Sequence, residues 1–173
     1  MRATRVLKPA ERGGRTVADT VLLDYAQRSA GAVTATGLKG GNYEIALAQP
    51  TRLRTDDALL LEDDSLLEVV AAPEPLIEAR AAAVADLARL AWHLGDRHIP
   101  VQMLPNRIRA RREPAVENLL AALGAKVTMI EAPFEPEGGA YESQVHDLAH
   151  DLAHDHDHDH AHGHDHGHHH HDH

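Results

Sequence analysis

The feature that most limits what this chain can fold into lies at its end. From His146 to His173, fourteen of the sixteen histidines stand among aspartates and glycines. The stretch HDLAHDLAHDHDHDHAHGHDHGHHHHDH offers two leucines and three alanines to any core. That is far too little apolar area to offset the roughly 1–2 kcal/mol per residue that ordering a backbone costs. The stretch is therefore expected to be a disordered tail, and the fold must be built from what precedes it. What the tail offers instead is ligands, because at neutral pH most imidazoles are unprotonated and the carboxylates ionised, a string of nitrogen and oxygen donors for a divalent transition metal. A cloning tag would be a longer unbroken run, whereas the longest here is His168 to His171 and the Asp-His alternation begins upstream at His154. A solubilising tail or a pH sensor needs charge or titration, but neither needs this density of imidazole.

With about thirty residues spent on the tail, roughly 140 remain, enough for one ordinary domain or two small ones. Residues 1–140 hold seventeen bases against nineteen acids, a net charge of −2, while residues 141–173 hold eight acids and no base. The body is thus nearly neutral, which speaks against a nucleic-acid binder, and five aromatic residues leave little for stacking bases. The absence of cysteine removes disulfides, thiolate zinc sites and thiol catalysis. MRATRVLKPAERGGR lacks the apolar run of a signal peptide, and no stretch approaches the roughly 18–20 apolar residues of a membrane span, so a cytoplasmic protein without membrane contact is expected.

Along residues 16–70 the pattern is short and β-like. Val21–Tyr25, Val33–Gly37 and Tyr43–Gln49 read as strands, and Ala58–Leu61 with Leu66–Val70 reads as a hairpin around Asp63-Asp64-Ser65. Four to six antiparallel strands are expected, a small sandwich or barrel. Gly37–Gly41 lacks the Lys-Ser/Thr ending of a phosphate-binding loop, and no nucleophile or paired base appears. Ala71–Pro75 interrupts the pattern with two prolines and marks the domain boundary.

Beyond the boundary Leu76–Ala79 reads as a strand. Ala81–Leu94 reads as a helix burying Val84, Leu87, Ala88 and Ala91, capped by Gly95. Ile99–Leu104 and Arg107–Arg111 read as strands around Pro105-Asn106, Ala115–Leu123 as a helix opened by Pro114 and stopped by Gly124, and Lys126–Glu131 as a last strand. Strand, helix, strand, strand, helix, strand is the order of a ferredoxin-like split unit. The expected fold is therefore α+β: a small antiparallel β domain over residues 1–72, a ferredoxin-like βαββαβ domain over 75–137, and the His/Asp-rich tail over 141–173.

Only His93 and His98 lie in the body. His93 precedes the expected helix cap, where a histidine is commonly structural or favoured by the helix dipole. His98 follows the Gly95 turn and leads into a strand, so its backbone is held from both sides, which is how a ligand is kept oriented. One imidazole cannot hold a transition ion that wants four to six ligands, but a twofold axis would bring a second copy of it.

The strings WHLGDRHIPVQMLP (Trp92–Pro105) and APFEPEGGAY (Ala132–Tyr141), followed by a histidine-rich end, resemble the urease accessory protein UreE family, nickel metallochaperones. The resemblance implies a homodimer in which the histidine of a Gly-Asn-Arg-His motif, here His98, binds Ni(II) at the interface, supplemented by histidines of the C-terminus. His93 is a secondary candidate. His146 and His150, nearest the fold, are the tail residues best placed to reach the interface, with His154, His156, His158 and His160 behind them. The resemblance further implies the urease apoprotein and the urease-activating GTPase as partners and a peptide-binding role for the first domain. Zn(II) or Cu(II) can occupy the same ligands. Asp96 stands where the motif commonly has Asn, and Ala110–Pro114 lacks the extra histidines of some members, so no peripheral metal site is expected there. The competing reading is a divalent-metal buffer or store without a delivery partner; a nickel enzyme, a histidine-tailed prolyl isomerase and a nickel-dependent repressor fit less well.

Overall fold

Strands with one buried face dominate what the chain builds. A computed structural model describes residues 1–7, 9–47 and 51–138, and these form a mixed α+β structure of two sheets, three α-helices and one 3-10 turn within one unit, Met1–Glu137.

The first sheet has six strands: β1 (Arg2–Leu7), β2 (Val17–Leu23), β3 (Ala32–Thr36), β4 (Asn42–Ala46), β5 (Ala58–Leu61) and β6 (Leu66–Ala71), in the order β2-β6-β5-β1-β4-β3. Its core is aliphatic, with Val21, Leu23, Ile45, Leu59, Leu67 and Val69 among its members. The expected hairpin is present, with Ala58, Leu59 and Leu60 opposite Glu68, Leu67 and Leu66. The expectation of a wholly antiparallel sheet fails: β1 runs parallel to β4 and β2 parallel to β6. Only β3–β4 and β5–β6 join neighbours in sequence; the parallel pairs need the long crossovers that the intervening elements supply. Strand β1 went unread because a register shift between Ala3 and Arg5 breaks its alternation.

The strand expected to reach Tyr25 stops at Leu23. Asp24 caps a short helix, α1 (Tyr25–Ser29), accepting from the Gln27 N–H while the Gln27 side chain accepts from the Asp24 N–H. That reciprocal pair outweighs the strand preference of tyrosine. Next to the β3–β4 turn, buried Asp19 accepts from the N–H groups of Thr20 (2.8 Å) and Lys39 (2.9 Å) and from the Tyr43 hydroxyl (3.2 Å). Burial pushes its pKa up, but those hydrogen bonds more than reverse the effect and leave it below the ordinary value. Gly37 is required here, since a Cβ would stand 2.0 Å from Asp19 Oδ2.

The second sheet is antiparallel throughout, with β7 (Pro73–Arg80), β8 (Gln102–Leu104), β9 (Arg107–Arg111) and β10 (Lys126–Pro133) in the order β10-β7-β9-β8. Helix α2 (Val84–Gly95) follows β7 and α3 (Pro114–Ala122) follows β9. Both pack on one face of the sheet, against Ile77, Ala79, Ile108 and Ala110. The buried stripe of α2 is Leu87, Leu90 and Leu94, not the expected Val84, Leu87, Ala88 and Ala91; Val84 is 77 % exposed. Three leucines remove more apolar area from water than alanines do, so the helix turns toward them.

The prolines of Ala71–Pro75 interrupt less than expected, because both lie inside β7. The Pro75 carbonyl accepts from the Arg112 N–H at 3.0 Å, one residue beyond the last paired residue of β9, so the donor that proline lacks is missing only at the very end of that ladder.

At one edge of this sheet the end of β10, the start of β7, the end of β9 and the start of β8 come side by side. Phe134–Glu137 run along that edge as a strap. The Glu135 N–H donates to Gln102 Oε1 (3.5 Å) and the Glu137 N–H to the Val101 carbonyl (2.8 Å), while the Met103 N–H donates to Glu137 Oε1 (3.3 Å). The strap also ties the two sheets together. Arg28 of α1, fully buried, donates from Nε to the Leu23 carbonyl (3.2 Å), from Nη1 to the Leu53 carbonyl (3.2 Å) and Glu135 Oε1 (3.0 Å), and from Nη2 to the Phe134 carbonyl. Thr55 donates to the same Glu135 oxygen from N and Oγ1, and buried Phe134 meets Tyr25 edge-on with ring centroids 5.4 Å apart.

Candidate metal centre

His98 occupies the corner between α2 and β8, and the way α2 ends decides how its imidazole is mounted. Gly95 was expected as the left-handed cap, but the helix runs through it. The left-handed position falls on His98, with φ at 55°. Two hydrogen bonds close the corner: the Ile99 N–H donates to the Leu94 carbonyl (3.0 Å) and the His98 N–H to the Gly95 carbonyl (2.9 Å). This 6→1 and 5→2 pairing is a Schellman motif, accompanied by contact of its outer apolar residues. Leu94 is buried and Ile99 packs against the same core, so hydrophobic closure puts a histidine where glycine is favoured. The correction has a physical cause: Gly95 is followed by Asp96-Arg97, and the first apolar residue able to fold back onto Leu94 is Ile99.

The corner is held from a second side. Val101 lies three residues on and its carbonyl is bound by the Glu137 N–H of the strap. His98 is exposed on this doubly held corner. His93, in the last turn of α2, is half-buried, and its carbonyl accepts from Arg97 Nη1 at 2.9 Å. Asp96 is exposed and lies 3.6 Å from the Arg97 guanidinium, so the charge it adds relative to Asn has a neighbouring cation. Of the two elements that meet at the corner, α2 exposes Trp92 (71 %) and β8 exposes Met103 (41 %).

Among the described residues, no three His, Cys, Asp or Glu side chains converge to hold an ion. His93 and His98 are the only candidates inside the described residues; His146, His150, His154, His156, His158 and His160 lie outside them. What the described part provides is one imidazole in a fixed setting, a nitrogen donor without thiolate, compatible with Ni(II), Zn(II) or Cu(II). Sequence reasoning missed the strap residue Glu137 and the exposed Trp92. The acid spacing in Phe134-Glu135-Pro136-Glu137 was the available signal for the first, and the position of Trp92 off the Leu87-Leu90-Leu94 stripe of α2 for the second.

Residues 74–173 match the model of the "UreE urease accessory protein, C-terminal domain" family. A "Urease accessory protein UreE" from Bradyrhizobium sp. strain BTAi1 is 49 % identical over 146 residues, 84 % of this chain and 70 % of that protein. One from Bradyrhizobium sp. strain ORS 278 is 51 % identical over 146 residues, 84 % of this chain and 69 % of that protein. A third, from Beijerinckia indica, is 41 % identical over 147 residues, 85 % of this chain and 84 % of that protein. No helix among the described residues is long and apolar enough to cross a membrane. With a family match over more than half the chain and relatives this similar over most of it, the chain belongs to the UreE family of urease accessory proteins.

Proposed function

We propose that this chain is a cytoplasmic nickel metallochaperone, an accessory protein and not an enzyme, that holds Ni(II) through His98 at a homodimer interface and delivers it to urease as the urease active site is assembled. The observation that carries the reading is the mounting of His98: an exposed imidazole on a corner fixed by a Schellman closure and by the strap, within the segment that matches the family. Exposed Trp92 of α2 and Met103 of β8, on the two elements that flank it, supply apolar surface that a second copy would cover. The strand order β10-β7-β9-β8 with its two helices supports reading residues 75–137 as a ferredoxin-like metal-binding and dimerisation domain. Residues 1–72 are then the partner-binding domain, facing the urease apoprotein or the activating GTPase.

In this reading the tail over residues 141–173 gathers several ions weakly and raises their local concentration, with His146 and His150 as added ligands at the interface, His93 as a secondary one, and His154, His156, His158 and His160 as reserve. Imidazoles suit delivery because ligands from separable pieces exchange one at a time. Copper(II) stands above nickel in the Irving–Williams order, and Zn(II) also binds imidazole, so selectivity comes from supply and from the partner. Metal uptake falls as the pH drops through about 6.5, where free imidazole protonates.

Nickel titration of the wild type, a truncation after Tyr141 and His98→Ala, with mass measured at each point, tests the proposal. The truncation should lose most of its stoichiometry yet keep a dimer with about one tight ion, and His98→Ala in that background should lose it. A truncation holding no nickel, or unchanged by His98→Ala, refutes the interfacial site. The tail's composition alone favours a metal buffer; failure to co-purify urease subunits or the GTPase would decide for that reading.

A further inference from the structure

The face of the second sheet turned away from its helices carries an arrangement that sheet stability does not explain. Lys126 of β10, Arg80 of β7 and Arg107 of β9 stand directly opposite one another in register, three cations in one row across three strands. The next row reads Thr128, Glu78, Arg109 and Gln102. Like charges directly opposite across strands destabilise a sheet, so this row costs stability unless something anionic faces it. One carboxylate is present. Glu78, 4 % exposed, takes Arg80 on Oε1 (2.8 Å), and Arg109 (2.9 Å) and Arg107 (3.5 Å) on Oε2. Burial pushes its pKa up, and the hydrogen bonds from Arg109 and Arg80 more than reverse that, so it stays charged. Among the described residues no other acid pairs with Arg80, Arg107, Arg109 or Lys126, and Arg107 Nε is buried without a hydrogen bond. Three arginines therefore share one anion, with Lys126 beside them in the row, on a chain whose formal net charge is −10.

We propose that the Lys126–Arg80–Arg107 row is a docking surface for an acidic segment of a protein partner. Glu78 holds the guanidinium groups in place, and the partner's carboxylates complete the charge balance. The row spans roughly 10 Å at the usual strand spacing, keeps the Arg80 side chain 57 % and the Arg107 side chain 31 % exposed, and presents planar guanidinium forks suited to carboxylates. A flat row of that length fits an extended chain better than a small free anion, which needs a pocket to exclude water. The site is separate from His98 and stands whether or not the nickel reading does.

The test is fluorescence anisotropy of a labelled deca-glutamate peptide with the full chain at low and moderate salt. Binding should weaken with salt. It should fall at least about tenfold in Arg80→Gln/Arg107→Gln and about threefold or more in Lys126→Gln, which lies outside the Glu78 network, and should not change in Arg5→Gln, a cation of the first sheet. Lys126→Gln should not lower the melting temperature, since it relieves repulsion without touching Glu78, whereas Arg80→Gln/Arg107→Gln strips partners from buried Glu78 and should lower it; lost binding with retained fold in Lys126→Gln therefore marks a recognition role. Absence of peptide binding, an equal loss in Arg5→Gln, or full binding by Lys126→Gln would overturn the proposal. So would displacement of the peptide by tripolyphosphate or a single-stranded oligonucleotide at lower concentration than by unlabelled peptide, which would assign the row to another ligand.

Discussion

Replacing His98 by glycine and by alanine separates the backbone from the imidazole at the corner of α2. Both variants lose the imidazole, so the difference between them reports the left-handed φ of 55° set against the greater freedom of glycine in the unfolded chain. A non-glycine residue held there costs roughly 1–2 kcal/mol. Glycine removes that cost but adds about 0.4–1 kcal/mol of unfolded-chain entropy. The glycine variant should therefore be more stable than the alanine variant by about 1 kcal/mol, or about 2–4 °C in melting temperature for a chain of this size. Wild type should fall between them or near glycine, since histidine tolerates the left-handed region better than alanine. The assay is urea denaturation without metal, with the slope compared across the three proteins to confirm that only the midpoint moves. An alanine variant as stable as the glycine variant would refute the argument, because it would mean that the corner relaxes out of the left-handed region once the imidazole is gone. The expected order also carries a functional corollary: the most stable of the three is one that cannot donate a nitrogen, so the position trades stability for a ligand.

Other perturbations follow from the polar groups inside the fold. Arg28→Met should destabilise by about 3–5 kcal/mol in chemical denaturation, because it strips Glu135 of its buried counter-charge and leaves the carbonyls of Leu23, Leu53 and Phe134 without their donor; a loss under 1 kcal/mol would show that water replaces the guanidinium. Gly37→Ala forces its Cβ onto Asp19 and should cost about 1–3 kcal/mol, with proteolysis appearing first in the β3–β4 turn. Asp19 and Glu78 both have folded pKa values below their ordinary ones, so their contribution is complete above the unfolded carboxylate range near about 4 and is lost as pH falls through the depressed values. Unfolding midpoints should stay level from pH 7 to about 5 and drop below that, whereas nickel uptake should already fall near about 6.5; a fold that weakens in step with nickel loss would contradict this separation.

How much of this was legible in the sequence depended on whether the signal was local. The β5–β6 hairpin and α3 were readable because Asp63-Asp64-Ser65, Pro114 and Gly124 act within a few residues of the elements they bound. Strand β1 was invisible because its partners lie across the sheet and a register shift erases its alternation. The prolines at 73 and 75 suggested a break, yet a proline costs little at the end of a ladder, and only the register of β9 reveals that Pro75 stands there. His98 was legible as the motif residue. Its left-handed mounting was not, since glycine preference favoured residue 95 and the decision was made by Ile99 reaching back to Leu94. Net charge concealed the Lys126–Arg80–Arg107 row, because a near-neutral body can still line up its cations on one face.

The Arg28 junction also sets an order in time. Its carboxylate partner lies 107 residues downstream, so during synthesis the guanidinium must wait, hydrated, until nearly the whole of both sheets has emerged. Strand pairing in the first sheet can begin early, but sealing α1 against the Leu53 loop would bury an uncompensated cation until Glu135 arrives. The two sheets thus have separate cores but share the Arg28 junction, whose contacts are among the longest-range in the fold and of the kind that slow folding. Whatever division of labour the sheets acquire in the finished molecule, neither half is completed before the other.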